Sequence, residues 1–174
     1  MNKPVKVSLQ NQSKIESIAI ESFFHDSWKI QAAIPTLDPL EQFVRVMQLT
    51  PKWIDNLMIF RNRVVGLFGL KNLGAFTDID LSKSSSDYKI GDRVGIFTLI
   101  EKNEGEVLLG DDDNHLSVVV SIYKEMPTND AKVFITVSTV VHVKNWLGKA
   151  YMIPATPAHH IIARKMTGAI GHAA

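Results

Sequence analysis

The stretch KVFITVSTVVHVK, residues 132–144, alternates with a period of two: Val133, Ile135, Val137, Thr139, Val141 and Val143 share one side, and Lys132, Thr136, Ser138, His142 and Lys144 the other. Such alternation predicts a strand with one dry and one wet face, as in an antiparallel sheet covered on one side. Strand signals also crowd residues 93–100, 104–109 and 115–123. The intervening segments hold Asn103 with Gly105, then Gly110 through Asn114, then Pro127 through Asp130, all short enough for hairpins. An antiparallel meander is therefore expected. A further half-buried strand is predicted over residues 25–33, with Asp26, Trp28, Ile30 and Ala32 on its inner face. Trp28, Ile30, Val118, Val120, Ile135 and Val137 should then all face one cover.

That cover is helical. Thr156 as a cap and Pro157 at the first helical position predict a last helix running to Gly168 or Gly171, with Ile161, Ile162, Met166, Ala169 and Ile170 as its apolar face. Between the first strand and the meander the period is also helical. Asp38, Pro39 and Glu41 form a capping-box start, and Leu40, Phe43, Val44 and Met47 follow the i, i+3, i+4, i+7 rule. Thr50 and Pro51 repeat the start signal for a second helix, with Ile54, Leu57, Met58, Val64, Val65 and Phe68 on one side and Gly69 or Gly74 as its stop. Residues 73–88, with Ser84, Ser85 and Ser86, read as a long loop of the kind that forms lids or binding loops. Residues 1–22 lack strong periodicity and are expected to be an N-terminal arm, with residues 23–171 one domain.

The chain has 174 residues, a hydrophobic fraction of 45%, a charged fraction of 21% and a net charge of +1. A chain this long buries roughly 70% of the surface it exposes when unfolded, enough for a sizeable core. Near-neutral charge gives no general nucleic-acid footprint, and no nucleic-acid partner is expected. The chain has no cysteine, which removes disulfides, thiolate metal sites and cysteine nucleophiles. No run of about eighteen apolar residues is present to span a bilayer, and the polar start does not resemble a signal peptide, so a cytoplasmic location is expected. No Gly-rich phosphate loop follows a strand, and neither a G-x-S-x-G elbow nor an H-E-x-x-H pair occurs.

Several spaced residues carry a resemblance to a known family. Pro51, Trp53, Leu57, Arg61, Asn62, Gly69 and Leu70 are similar to the P-W-L-R-N-G-L pattern of domain-of-unknown-function family 2867 (DUF2867). Gly91, Gly95 and Phe97, the block from Gly110 to Leu116, Thr139 with Val140, and Gly148, Tyr151, Pro157 and His159 continue it. Ala158 departs from the aromatic residue of the family pattern. The family resembles the START-related, polyketide-cyclase-like (SRPBCC) superfamily. The resemblance implies an α+β helix-grip fold: a curved antiparallel sheet wrapped around a long C-terminal helix, with two consecutive helices after the first strand. It also implies an apolar cavity between sheet and helix, and a dehydrogenase-like protein as a partner, because the family occurs fused to such domains.

Candidate site residues follow from polar groups on apolar faces. Arg61 lies near the middle of the second helix's apolar stripe. It either pairs with a carboxylate, Asp26 first and Asp112 second, or anchors an anion or carbonyl inside a cavity. His159, at the third position of the predicted last helix, is either a cap-region histidine or a neutral base and hydrogen-bond donor. His160 and His142 are expected in solvent. Asp111, Asp112, Asp113, Asn114 and His115 lack the Gly and distant Glu of a calcium loop and read as a hairpin turn with solvated acids, so no metal is expected. No cofactor is expected either. The sequence favours a binder of a small apolar or amphipathic molecule, with Trp28, Trp53, Val137, Ile161 and Ile162 as walls and Arg61, Asp26 and His159 at the polar end. A cyclase- or dehydratase-like enzyme using His159 as base and Arg61 at an oxyanion is the alternative, and an accessory interaction domain with a filled core is a third. Catalytic residues stay unassigned.

Overall fold

Strand β1 (Val5–Lys6) and helix α1 (Ile15–Ile18) open the chain, followed by β2 (Phe24–Gln31), α2 (Pro39–Gln48) and α3 (Lys52–Gly66). After a short 3-10 turn at Ser85–Asp87 come β3 (Arg93–Val94), β4 (Phe97–Lys102), β5 (Glu106–Asp112), β6 (Leu116–Lys124), β7 (Phe134–Val143) and finally α4 (Trp146–Ile170). This computed structural model describes residues 3–66, 74, 79–80, 83–127 and 132–172, without the side chains of residues 64 and 65. Much of the expected loop 73–88, the stop at Gly69 and the stripe residue Phe68 lie outside the described residues. The strands form one antiparallel sheet in the order β1-β2-β7-β6-β5-β4-β3. With α4 laid against it, the architecture is α+β and helix-grip.

The register follows the expected alternation on the inner face. Ile30, Ile122 and Ile135 are buried there, in one cluster with Val118, Val120 and Val137 and with Ile162, Met166 and Ile170 of α4, which lies over β2 and β7. Helix α2 covers another part of the same face through Leu40, Phe43, Val46 and Met47. Its start is the expected capping box: Asp38 Oδ1 accepts from the Glu41 amide at 2.8 Å, and the Glu41 carboxylate accepts from the Asp38 amide at 2.8 Å. Two orphan donors are satisfied, and Pro39 occupies the first position, where no donor is required. Helix α3 is anchored by Ile54, fully buried, and by Met58, whereas Leu57 of the expected stripe is exposed. Thr50 does not cap it; its hydroxyl is buried, reaching the Val46 carbonyl and the Met166 sulfur.

Three expectations need correction. The strand expected over residues 93–100 is two strands, because Gly95 takes φ 61° and the chain reverses between Val94 and Phe97. A left-handed backbone of that kind is open to glycine at little steric cost. The last helix begins ten residues earlier than Thr156: Asn145 caps it by accepting from the Gly148 amide at 3.1 Å. Pro154 and Pro157 therefore lie inside the helix, where each removes one intrahelical bond. Both rings and the residues whose carbonyls lose donors, Ala150 and Ile153, are on the exposed side, so water can replace the missing partners. Thr156 is turned inward along the helix and donates to the Met152 carbonyl at 2.8 Å.

The third correction concerns the wet face of the sheet. Thr136 and Ser138 are buried, and Val140 on the same side belongs to a second apolar cluster with Leu108, Val119 and Ile15. Leu9, Ile18 and Ala19 pack on that cluster, so residues 9–19 cover what the alternation alone assigns to solvent. Polar groups beneath the cover bond one another, as a buried position demands. The Ser27 and Ser138 hydroxyls lie 2.7 Å apart, and buried Glu106 accepts from the Ser13 and Ser121 hydroxyls and, at 2.9 Å, from the Lys14 amide. His142 is likewise not solvated; its Nε2 lies 2.7 Å from the Ile18 carbonyl oxygen.

Candidate functional site

Phe24, Asp26 and Trp28 alternate along β2 and present their side chains to α4. The Asp26 carboxylate is almost wholly withdrawn from water, with its side chain 1% exposed. Three donors compensate: Trp28 Nε1 lies 3.0 Å from Oδ2, His159 Nε2 lies 3.0 Å from Oδ1, and His160 Nδ1 lies 3.2 Å from Oδ2. An ionised carboxylate only accepts, so each ring nitrogen facing it carries the proton. Residues 159 and 160 are separated by about 100° around a helix, which lets the two rings straddle one acid on the strand below. Phe24 meets both imidazoles edge-on, at centroid distances of 5.4 and 5.5 Å. Burial pushes the Asp26 carboxyl up, but the His159 hydrogen bond and charge, the Trp28 indole and the His160 charge together outweigh it and hold the group below its ordinary value.

Beside this cluster runs an open groove of about 820 Å³ between α4, the start of the chain and the corner joining α2 to α3. Its apolar lining includes Trp28, Leu49, Pro51 and Ile161. Its charged lining is basic, with Lys3, Arg164 and Lys165, and His160 joins it to the Asp26 cluster. No carboxylate is among the described lining residues. Residues 160, 161, 164, 165 and 168 recur at the spacing of one helical face, so a single side of α4 makes this wall.

Of the sequence-predicted residues, Asp26, Trp28 and His159 come together as one cluster. Arg61 does not join them as Asp26's partner. Its Nε donates to the Tyr151 hydroxyl at 3.4 Å, its guanidinium lies 5.5 Å from that ring, and Nη1 donates to Asn62 Oδ1 at 3.0 Å. Tyr151 is two turns before His159 on α4, and Asp112 forms an ion pair with Lys144 at 2.6 Å. Trp53 is 46% exposed and does not line the groove. Val137 and Ile162 pack into the core, while Ile161 lines the groove. His159 lies in the middle of α4, so the positive end of a helix dipole does not act on it. His160, expected in solvent, instead bonds Asp26; that contact was hidden because a helix begun at Thr156 leaves the lean of α4 over β2 unspecified.

Among the described residues no group of three or more His, Asp or Glu side chains is arranged to hold a metal. The acids of the β5–β6 turn have other tasks. Asp113 Oδ1 accepts from the His115 and Leu116 amides at 2.6 and 2.9 Å, fixing the hairpin. Asp111 is buried, not solvated, and lies 3.4 Å from Arg93 Nη1. Among the described residues no helix is long and apolar enough to cross a membrane.

No curated protein and no solved structure matches the chain. A family described as a protein of unknown function does match, over residues 18–166, and with most of its length aligned the chain belongs to that family, DUF2867.

Proposed function

We propose that the protein binds a small amphipathic molecule with an anionic head, and that the groove along α4 is its site. One observation carries this reading: a groove of about 820 Å³ pairs apolar walls from Trp28, Leu49 and Ile161 with Lys3, Arg164 and Lys165, and no described acid lines it. That volume lies within the roughly 300–1,000 Å³ usual for small-molecule sites. The apolar walls take the body of the ligand by removing its surface from water, and the cations take the head. Ligand binding thereby moves from between sheet and helix to the flank of the helix, because the sheet-facing side of α4 is packed with Ile162, Met166 and Ile170. A sheet with a C-terminal helix is compatible with kinship to START-related proteins. The enzyme alternative is less well supported, since its base and oxyanion residues face different partners, His159 on Asp26 and Arg61 on Tyr151.

A fluorescence titration tests the reading with two probes of nearly the same apolar body: 1-anilinonaphthalene-8-sulfonate, an anion, and N-phenyl-1-naphthylamine, which is uncharged at neutral pH. Both should saturate one site, the anion more tightly. Ile161→Asp, which puts a negative charge on a wall residue 64% exposed, should weaken the anion most. Non-saturable binding, or equal binding by this variant, refutes the assignment.

A further inference from the structure

Two imidazoles share one carboxylate beside the groove. Asp26 supplies a single negative charge, and His159 and His160 both present ring N–H groups to it, at 3.0 and 3.2 Å. The cluster can therefore hold one imidazolium as a neutral pair. A second proton needs another counter-charge. Among the described residues that meet the His160 ring or line the groove with it there is none: β2 contributes Asp26, Trp28 and Phe24, α4 contributes His159 and Arg164, the start of the chain contributes Lys3, and the α2–α3 corner contributes Leu49 and Pro51. Lys165 and His172 complete the basic side of the groove. Among the described residues every other charge there is positive or becomes so on protonation, which opposes a second proton while the groove is empty.

The ring nitrogens of His160 have separate duties. Nδ1 is committed to Asp26, so Nε2 is the nitrogen left free of the acid, on a ring that lines the groove. We propose that the anionic head of the groove's ligand is the counter-charge for a second proton on the Asp26–His159–His160 cluster, carried at His160 Nε2, so that binding takes a proton from solvent. The inference rests on the groove being the binding site. It deepens that reading by naming the preferred ligand class: amphipaths whose head stays ionised as the pH falls through the histidine range, such as carboxylates, phosphates or sulfonates. Asp26 acts as a positioning residue, holding the Nδ1 proton so that the second proton must sit on the groove side. Linkage sets the sign: a site that binds a proton together with its ligand binds the ligand more tightly at lower pH.

The sulfonate probe is suited to the test because its own charge does not change between pH 6 and 8. Calorimetric titration of the full chain at pH 7, repeated in three buffers of different ionisation enthalpy, counts protons directly. On the order of half a proton should be taken up with the sulfonate, since histidine changes charge across this range, and none with the uncharged amine. The sulfonate should bind roughly tenfold more tightly at pH 6 than at pH 8. The histidine variants separate the two rings. In His159→Gln the remaining imidazole has Asp26 to itself and still lines the groove, so the sulfonate should bind tightly; in His160→Gln the groove-side ring is gone, so it should bind weakly and with no proton taken up. A merely structural role for either ring gives no such opposite pair. Saturable binding of both probes with no proton taken up overturns this inference and leaves the groove assignment standing. Absence of saturable binding by either probe removes the groove assignment, and the inference with it.

Discussion

Replacing Asp26 by Asn keeps the shape of the side chain and removes the charge on which three donors converge. An amide oxygen in the place of Oδ2 still accepts from Trp28 and His160, but without the charge, while the NH2 group in the place of Oδ1 is turned against the His159 donor. Hydrogen bonds to charged groups contribute about 1.5–3 kcal/mol each, and the two imidazoles are partly hydrated, so the combined loss should be about 3 kcal/mol rather than the full sum. For a chain of this size that corresponds to a melting temperature lower by roughly 6–12 °C. The pH dependence distinguishes this mechanism from simple misfit. The folded-state value of Asp26 lies below its ordinary 3.8, so its contribution is complete above that value and disappears as the pH falls through the lowered folded one. The wild type and Asp26→Asn should therefore differ most from pH 5 upward and draw together as the pH falls below 3.8. Urea unfolding followed by tryptophan fluorescence between pH 3 and 7 measures this, with Trp28 as a reporter in direct contact. A difference under 1 kcal/mol at pH 7, or one that stays constant to pH 3, refutes the account.

Three further outcomes follow from contacts away from the groove. A Cβ at Gly148 would stand 2.3 Å from the His115 carbonyl oxygen, a backbone atom that cannot step aside, so Gly148→Ala should destabilise by about 1–3 kcal/mol in thermal melts; an unchanged melting temperature would show that the β5–β6 turn yields freely. Glu106→Ala removes the acceptor shared by Ser13, Ser121 and the Lys14 amide, and trypsin should then cut after Lys14 several-fold faster than in the wild type; equal rates would mean that the apolar contacts of Ile15 suffice. Asp38→Ala opens the capping box of α2 and should cost about 1 kcal/mol in urea unfolding, an effect that Asp38→Asn should largely avoid.

Those elements whose pattern is local were legible from residue order. The period of two in residues 132–144 marks β7 and its inner face, because each strand residue points opposite to its neighbour whatever the sheet does elsewhere. Asp38, Pro39 and Glu41 announce α2 because a capping box is completed within four residues. The buried strand position of Asp26 was equally readable, since an acid that alternates with Trp28, Ile30 and Ala32 stands on an apolar face. Helix α4 was less legible. Pro157 looks like a first turn, and only the docking of residues 146–156 shows that both prolines are carried on the water-facing side, where lost hydrogen bonds are cheap.

The partners of polar groups were decided by the tertiary structure. Asp26 and His159 are 133 residues apart, and nothing local to either distinguishes a histidine partner from Arg61. Which is met depends on how far α4 runs along β2 before the chain ends, a rigid-body quantity that periodicity does not encode. The same reason explains the buried hydroxyls of Thr136 and Ser138. Alternation reports which residues share a face of the sheet, but whether that face meets water depends on residues 9–19 folding back across it, and a cover without periodicity of its own leaves no mark in the strand that it protects.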